Sequence, residues 1–332
     1  MKAVLVEDFG PVGTAKVKDV PDPVPGPGEI LLRVEAVAAN FVDILVLEGK
    51  YQFLPERPFV PGKGPVGTVE AVGEGVTSLK VGDRVTAMEE HGGYAQFAKA
   101  KADQCYLLPE GMTFVEAAGM ALSFDTAWFA LEERGRMKPG ETVLVLGASG
   151  AVGSAAVQLA KAKGARVIAG ASSERSAQKA LDAGADHWVD LSRDNLRDTL
   201  REQVYALTDG RGVDIVLDPL GGDIFDAAIR TLAWRGRLVV IGFAAGRIPE
   251  VKVNYLMLKN IEVSGLQISD YRKRMPEMVR QCFDDVFGLY RAGKLKAPPV
   301  VRFPLEGYDR ALNGLTNRSL DGRAIIEPWS AS

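Results

Sequence analysis

The stretch from residue 142 to residue 183 constrains this chain most, because it predicts a strand, a glycine turn, a helix and a second strand in close succession. An apolar run at 142–146 is followed by Gly147, Gly150 and Gly153. Glycine lacks the Cβ that would fill the space between the backbone and a diphosphate. The helix start adds unpaired N–H groups and the positive end of the helix dipole. The stretch therefore predicts half of a dinucleotide-binding fold.

A glycine triplet alone is also what an ordinary tight strand-to-helix turn contains. Here the flanks favour the dinucleotide interpretation: a β-branched strand before the glycines, an Ala/Val helix face after them, and Gly164 at the helix end before a new strand. We therefore predict that this loop binds the cofactor diphosphate. The contacts are assigned to Gly147, Ser149, Gly150, Ala151, Val152 and Gly153.

The end of the second strand indicates which dinucleotide is bound. NAD sites commonly place Asp or Glu about 20 residues past the glycines, bonded to the ribose 2′-OH. This chain has Ser172, Ser173 and Arg175 in that region, which can bind a 2′-phosphate. Alternatively, Ser173 only caps the next helix and Arg175 is solvated, and Glu174 weighs against an anion site. We predict NADPH rather than NADH.

Charge and hydropathy exclude several classes of protein. The chain has 332 residues, a net charge of −3, and 40 basic against 43 acidic residues. That length is enough for two domains. No long basic run indicates a nucleic-acid partner, and no apolar run suggests a signal peptide or a membrane span. We expect a cytoplasmic protein with neither nucleic acid nor membrane as partner.

The cysteines and histidines do not predict a metal site. The chain has Cys105 and Cys282, and His91 and His187, and no pair of them has metal-ligand spacing. Both cysteines are interpreted as structural thiols of a reducing compartment.

The first 122 residues alternate short strand-like runs with Pro and Gly. Residues 20–29 (V-P-D-P-V-P-G-P-G-E) predict an extended connector. Ile30–Ala36 alternates as a strand does, and Asn40–Gly49 predicts a short helix. The pattern is typical of a compact, irregular β-barrel domain.

The pattern then changes to alternating strands and helices. Thr113 and Glu116 form a capping box that starts a helix, and a separate helix is expected over Phe124–Arg134. Runs such as Val213–Asp218 predict buried parallel strands, so the fold class is α/β with a doubly wound sheet. One long helix is expected over Arg274–Ala292.

Taken together, the chain resembles the medium-chain dehydrogenase/reductase superfamily, in its zinc-independent quinone oxidoreductase branch. The similarity extends over essentially the whole chain, and its motifs are specific in this order and at these spacings. They are 38–43 (A-A-N-F-V-D), 67–73 (G-T-V-E-A-V-G), 81–85 (V-G-D-R-V), 92–95 (G-G-Y-A), the glycine loop 147–153, 214–218 (D-I-V-L-D) and 241–243 (I-G-F).

The resemblance implies two domains. Residues 1–123 and 265–332 are expected to form a GroES-like β-barrel catalytic domain, and residues 124–264 a Rossmann domain that binds NADPH. NADPH and a small-molecule electron acceptor are expected in the cleft between them. The resemblance also implies a homodimer, in which the strand near Val263 pairs across a two-fold axis.

Two positions depart from the zinc-using relatives. Those relatives have a Cys where this chain has Asn40, and a His-Glu pair where it has Lys63-Gly64. The resemblance therefore implies no bound zinc. Because the zinc-free branch often keeps a Glu at the Gly64 position, the segment 61–65 (P-G-K-G-P) indicates a subgroup with its own substrate.

The absence of zinc ligands restricts the chemical class of the acceptor. A conjugated acceptor is favoured over an isolated ketone, because the added charge spreads onto a remote oxygen that hydrogen bonds can hold. We predict an NADPH-dependent quinone reductase. Two alternatives stay open: an ene-reductase of an α,β-unsaturated carbonyl or acrylate-type acid, and an NADPH-binding protein with a structural or regulatory role and no turnover.

Three residues are predicted to be catalytic. Asn40 is expected to donate to the acceptor oxygen or to the cofactor, or else to bond a loop. Tyr51 is expected to donate a proton or stack on the substrate, with simple packing as the alternative. Lys63 is expected to attract an anionic substrate or to be solvated.

The family pattern places further residues against the cofactor. Thr126, Phe243 and Ala244 are expected at the nicotinamide. Arg323 matches a family Lys that approaches the cofactor, although a surface charge explains it equally well.

Overall fold

The computed structural model describes residues 1–330, and the chain divides into two compact units. One unit comprises residues 1–122, 271–283 and the chain from Lys296 onward, and the other comprises 123–270 and 284–295. The predicted domain bounds, 1–123 with 265–332 and 124–264, stay a prediction. Residues 331 and 332 of that prediction lie outside the described residues.

The first unit begins with short strands that Pro and Gly punctuate. Alternation of buried and half-exposed side chains along Glu29–Ala38 gives the longest of these strands one face in the core. The elements are β1 (Lys2–Leu5), β2 (Lys16–Asp19), β3 (Glu29–Ala38), α1 (Phe41–Leu47), β4 (Val66–Val72), β5 (Arg84–Ala87), β6 (Phe97–Lys101) and β7 (Cys105–Leu107). Residues 20–28 contain no helix or strand, as expected of the connector.

The helix α2 (Phe114–Trp128) begins at the predicted capping box. Thr113 Oγ1 accepts from the Glu116 N–H at 3.2 Å, and the Glu116 carboxylate accepts from the Thr113 N–H at 2.9 Å. The separate helix expected over Phe124–Arg134 is wrong, because α2 runs through Trp128 and continues directly into a π-helical segment, Phe129–Arg134. No Gly or Pro interrupts residues 120–134, so nothing local ends the helix there.

The second unit contains the doubly wound parallel sheet. Its elements are β8 (Thr142–Leu146), α3 (Ala151–Ala162), β9 (Arg166–Ala171), α4 (Glu174–Asp182), β10 (His187–Asp190), α5 (Leu196–Leu207), β11 (Val213–Asp218), α6 (Gly222–Ala228), β12 (Leu232–Val240), α7 (Val253–Lys259) and β13 (Glu262–Gly265). The strand order within the described chain is β10-β9-β8-β11-β12-β13, with every pair parallel. All five residues of β8 are buried, as in a strand covered on both faces.

The remaining elements follow β13. They are α8 (Ile268–Arg274), α9 (Pro276–Arg291), β14 (Val300–Pro304), α10 (Tyr308–Thr316) and β15 (Arg323–Glu327). The long helix expected over Arg274–Ala292 is α9, which starts two residues later, at Pro276, and ends one residue earlier, at Arg291. Proline lacks the N–H that a helix interior needs, but it suits the first position of a new helix.

The C-terminal strands complete the sheet of the first unit. The strand order there is β14-β15-β3-β4-β5-β7, with β6 also paired to β3. Its core clusters around buried Val37, Leu47, Tyr94 and Ile326, so α1 and β15 pack into one apolar centre. This packing fixes the positions of Asn40 and Arg323, which flank that centre.

Candidate active site

The glycine loop has the geometry that a diphosphate site requires. Gly147 has a φ of +60°, which only glycine adopts at low cost. A Cβ on Gly153 would lie 2.2 Å from the Gly147 carbonyl oxygen, and one on Gly150 would lie 3.2 Å from the same atom. The loop therefore folds tightly on itself and presents bare backbone, which is the role predicted for it.

The start of α3 supplies donors beside that loop. Ser154 donates the first intrahelical bond, to the Gly150 carbonyl at 2.8 Å. The N–H groups of Ala151, Val152 and Gly153 precede that bond and point out of the helix end. These amides and the positive helix end suit a phosphate, and Ser149 lies half-buried just before them.

Loops at the carboxyl edge of the sheet contact one another beside the glycines. A Cβ on Gly147 would lie 3.2 Å from the Leu220 side chain, which follows β11. A Cβ on Gly221 would lie 3.0 Å from the Phe243 ring, which follows β12. In this strand order β8 and β11 are the adjacent strands where connectivity reverses, and ligands bind at that point in open α/β sheets. Phe243 and Ala244 are both exposed there.

Sequence reasoning assigned no role to Asp218, the last residue of β11. Its Oδ1 accepts from the N–H groups of Leu220 and Gly221 at 2.8 and 2.9 Å. Burial raises the pKa of this carboxyl group. Its Oδ2 is buried and has no hydrogen-bond partner among residues 1–330. Asp218 thus shapes the loop that packs on Gly147.

The predicted 2′-phosphate contacts lie at the end of β9. Ser172, Ser173 and Arg175 are all exposed. Ser173 does cap α4, because its hydroxyl oxygen accepts from the Ser176 N–H at 3.3 Å. Capping and anion binding are compatible, since both use the N-terminal end of the helix. Thr126, which was predicted at the nicotinamide, is buried in α2, where its hydroxyl donates to Asp125 at 3.1 Å, and its cofactor contact stays a prediction.

The second unit therefore fits a dinucleotide. Its glycine loop leaves the space that a Cβ would fill, its helix end offers backbone donors, and its exposed serines and arginine follow the next strand. The individual cofactor contacts stay predictions.

In the first unit, Asn40 lies at the start of α1 with its side-chain amide fixed. Its Nδ2 donates to the Ala38 carbonyl at 3.0 Å, and its Oδ1 accepts from Arg323 Nη2 at 2.7 Å. A carbonyl can only accept and a guanidinium can only donate, so these partners determine the orientation of the amide. The NH₂ group carries a second N–H, which leaves Asn40 able to donate to another oxygen.

Asp43 fixes the backbone of Asn40 by a hydrogen bond. Its Oδ2 accepts from the Asn40 N–H at 2.8 Å and from the Tyr94 hydroxyl at 2.9 Å. Asp43 and Tyr94 are both almost wholly buried. Burial raises the pKa of Asp43 to about 6, although the hydrogen bond from Asn40 and the charge of Lys63 oppose the rise.

Arg323 is half-buried beside this cluster, and its guanidinium bonds Asn40. Burial lowers the pKa of its guanidinium to about 10, while the Asp43 charge opposes that shift. Its Nε is buried and has no hydrogen-bond partner within the described chain. The bond to Asn40 weighs against a purely solvated charge at Arg323. Its predicted approach to the cofactor stays a prediction.

Lys63 is buried and paired, contrary to the solvated alternative. Its side chain is 4% exposed, and its Nζ donates to Glu90 Oε2. Arg272 Nη1 donates to the other oxygen of Glu90 at 2.9 Å. The Lys63 Nζ also lies 4.8 Å from the centre of the half-buried Tyr51 ring. Neither Glu90 nor Arg272 was predicted, because each is distant in sequence from Lys63.

The chain was compared with known proteins. Family models match residues 26–110, as an alcohol dehydrogenase GroES-like domain, and residues 151–284, as a zinc-binding dehydrogenase. The quinone oxidoreductase-like protein 2 homolog of Nematostella vectensis is 36% identical over 304 residues, which cover 91% of this chain and 82% of that protein.

Solved structures are equally similar along their whole length. A mycobacterial quinone oxidoreductase is 34% identical with a TM-score of 0.90, and the match covers 99% of this chain and 100% of the other. The Escherichia coli quinone oxidoreductase complexed with NADPH is 28% identical with a TM-score of 0.90, again over 99% and 100% of the two chains.

The chain belongs to the quinone oxidoreductase branch of the medium-chain dehydrogenase/reductase family. The predicted family and fold class are thereby confirmed. Membership also explains the paired Rossmann sheet and GroES-like strands.

The positions that the resemblance assigns to zinc ligands hold other residue types in this chain. Asn40 and the pair Lys63-Gly64 stand there, each in the hydrogen-bonded or ion-paired state described above. Residues 1–330 contain no group of three His, Cys, Asp or Glu side chains placed to hold a metal ion. Within the same residues, no helix is both long enough and apolar enough to span a bilayer.

Proposed function

We propose that this protein is an NADPH-dependent oxidoreductase that reduces quinones. The observation that carries the proposal is the glycine loop of the second unit, whose backbone is shaped for a diphosphate in a chain of the quinone oxidoreductase branch. A relative of this branch has been solved with NADPH. Ser172, Ser173 and Arg175, in place of an acidic residue, support NADPH over NADH.

Different residues of this chain bind the cofactor and stabilise the acceptor during the reaction. When bound, NADPH supplies a hydride. Gly147–Gly153 and the first turn of α3 hold the diphosphate, and the residues after β9 hold the 2′-phosphate. Hydride addition to a quinone places negative charge on a distant oxygen, and a proton then completes the hydroquinone. The second N–H of Asn40 is our proposed donor to that oxygen, because its amide is fixed by Ala38 and Arg323.

A panel of acceptors tests the reaction. NADPH oxidation is measured with 1,4-benzoquinone, with an enone and with acrylate, and the products are identified. Turnover of the quinone with little turnover of the alkenes supports the proposal. Preference for an alkene would make the protein an ene-reductase, and tight NADPH binding without any turnover would make it a binding protein.

The cofactor preference is tested by Arg175→Ala. Charge-assisted bonds to phosphate contribute about 1.5–3 kcal/mol, so the dissociation constant for NADPH should rise roughly 10-fold or more. NADH has no 2′-phosphate, and its binding should change less than about 2-fold. Titration of cofactor fluorescence measures both, with Arg197→Ala on α5 as a matched exposed control. Equal weakening of the two cofactors would contradict the assignment.

We also propose a cytoplasmic homodimer. Support for the dimer comes from β13, which lies at the end of its sheet, and from α7, whose Val253, Met257 and Leu258 are exposed. Support for the cytoplasm comes from Cys105 and Cys282, which are both buried and not joined in a disulfide, as in reducing compartments.

A further inference from the structure

A buried charge centre lies at the position where zinc-using relatives place ligands. Glu90 lies between two cations, and it bonds Lys63 through Oε2 and Arg272 through Oε1. The side chains of Lys63 and Arg272 are 4% and 3% exposed. Breaking a buried pair by removing one partner is costly. The ammonium group of Lys63 is therefore held in one place, away from solvent.

Two aromatic rings extend from this centre toward the surface. The Lys63 Nζ faces the Tyr51 ring at 4.8 Å, and the Tyr51 ring meets Phe53 edge-on, with centroids 6.3 Å apart. The Lys273 Nζ then lies 5.0 Å from the centre of the Phe53 ring. Because Lys273 follows Arg272 in the chain, the contacts form a closed ring. We call this ring the clasp: Arg272, Glu90, Lys63, Tyr51, Phe53 and Lys273.

The clasp holds a segment that has no regular structure of its own. Residues 51–54 form neither helix nor strand, so side-chain contacts must set their position. Phe53 and Leu54 are each 40% exposed, and Tyr51 is half-buried. A half-buried ring and an exposed ring beside a buried cation form a surface on which a planar conjugated molecule can stack. Lys63, by contrast, is too deeply buried to meet an acceptor directly.

We propose that Glu90 and Arg272 are positioning residues, which act through Lys63 to fix the rings of Tyr51 and Phe53 as the contact surface for a planar, uncharged quinone ring. This inference rests on the proposed quinone reductase function and adds the residues that position its acceptor-contacting rings. It also replaces the sequence-based role of Lys63: the ammonium group acts on the Tyr51 ring, and it does not recruit an anion.

A double-mutant cycle between Lys63 and Tyr51 tests the clasp. Lys63→Met should raise KM for 1,4-benzoquinone and for a naphthoquinone about 5-fold, with a smaller change in kcat, since a cation–π contact and the ring position are lost. Glu90→Gln should act in the same direction, and Lys63→Arg should restore most of the affinity. In a Tyr51→Leu background, Lys63→Met should change KM less than about 2-fold, because the two residues act as one unit.

Control variants distinguish the loss of clasp contacts from a general loss of folded structure. Lys18→Met removes an exposed lysine that pairs with Glu7 at 2.8 Å, and it should leave KM unchanged. Lys273→Ala leaves the buried charges intact, so it should fold, and it should raise KM about 2-fold. Thermal unfolding and the dissociation constant for NADPH are measured for every variant, and the latter should stay at the wild-type value.

Several results would contradict the inference, in whole or in part. If the changes in KM caused by Lys63→Met and Tyr51→Leu multiply, the two residues act independently and the clasp is refuted. If Lys63→Met affects only anionic acceptors, Lys63 has an anion-recruiting role instead. An unchanged KM in Lys273→Ala would remove the Phe53 side of the clasp. A wild-type protein that reduces no quinone overturns the proposed function and the clasp with it, whereas an active wild type with unaffected variants overturns the clasp alone.

Discussion

Asp43 is a buried carboxyl group, and its contribution to the free energy of unfolding depends on pH. Burial raises its pKa from 3.8 to about 6. An acid whose pKa is higher in the folded state binds protons more tightly when folded. The stability it contributes is therefore present below about pH 4 and is lost as the pH rises through about 6, on the order of 3 kcal/mol in all.

We predict that Asp43→Asn removes this part of the pH dependence. The amide oxygen can still accept from the Asn40 N–H and the Tyr94 hydroxyl, but it cannot ionise. Between pH 4 and pH 6.5, the free energy of unfolding of the wild type should fall relative to that of the variant. Urea denaturation at several pH values measures both. Asp19→Asn, at an exposed carboxylate, should follow the wild type, and parallel profiles for Asp43→Asn would refute the prediction.

At the level of residues, the features that could be predicted from the sequence are those set by nearby positions in the chain. The glycine loop was predictable because Gly147 and Gly153 contact each other across six positions. Glu90 lies 27 residues from Lys63, and Arg272 lies 182 residues from Glu90. Spacing alone says nothing about such pairs, so Lys63 was expected to be available to solvent or substrate, while the fold buries it.

Among the elements, the C-terminal half of α9 is tied to its neighbours by one carboxylate. Asp285 Oδ2 accepts from the indole N–H of Trp128 at 2.9 Å and from Lys163 Nζ at 3.2 Å. Trp128 ends α2 and is buried, so removal of Asp285 takes away the acceptor of its indole N–H. This bond fixes α9 against the end of α2.

We predict that Asp285→Ala lowers the free energy of unfolding by about 2 kcal/mol, because it leaves a buried donor unsatisfied. Asp284→Ala is a matched control, since it makes the same change at the exposed preceding residue of α9. The control should stay within about 0.5 kcal/mol of the wild type. Urea denaturation distinguishes the two, and equal losses would show that the Trp128 bond contributes nothing.

The two helix predictions had different outcomes for one physical reason. The helix expected from Arg274 is α9, and its observed start lies two residues later, at Pro276. Proline at the first position of a helix costs nothing, whereas inside a helix it costs about 3 kcal/mol. At Phe124, conversely, no breaker justified a new helix start. Breakers outweigh periodicity when the two disagree.

At the scale of the whole chain, the order of the parallel sheet follows from local rules. Each crossover between parallel strands is right-handed, and the glycine loop marks the first strand of a dinucleotide-binding half. These rules lead to the observed order β10-β9-β8-β11-β12-β13. They do not say what happens at the ends of the sheet, where β13 has only β12 as a partner in the described chain.

That free edge leads to a prediction about assembly. An edge strand beside exposed apolar side chains favours pairing with a second copy. Three apolar side chains of α7 are largely exposed: Val253 at 75%, Met257 at 70% and Leu258 at 68%. In a monomer this apolar surface would stay in contact with water. We predict that the purified protein is a dimer at micromolar concentration by light scattering.

Met257→Glu should shift that dimer to monomer, because burying an unpaired carboxylate in an apolar interface is strongly unfavourable. Val24→Glu places the same charge at an equally exposed apolar position in the extended connector, and it should leave the dimer intact. The glycine loop is not part of α7 or β13, so the monomeric variant should still bind NADPH. A wild type that remains monomeric, or a Met257→Glu dimer of unchanged affinity, would mean that this face has another role.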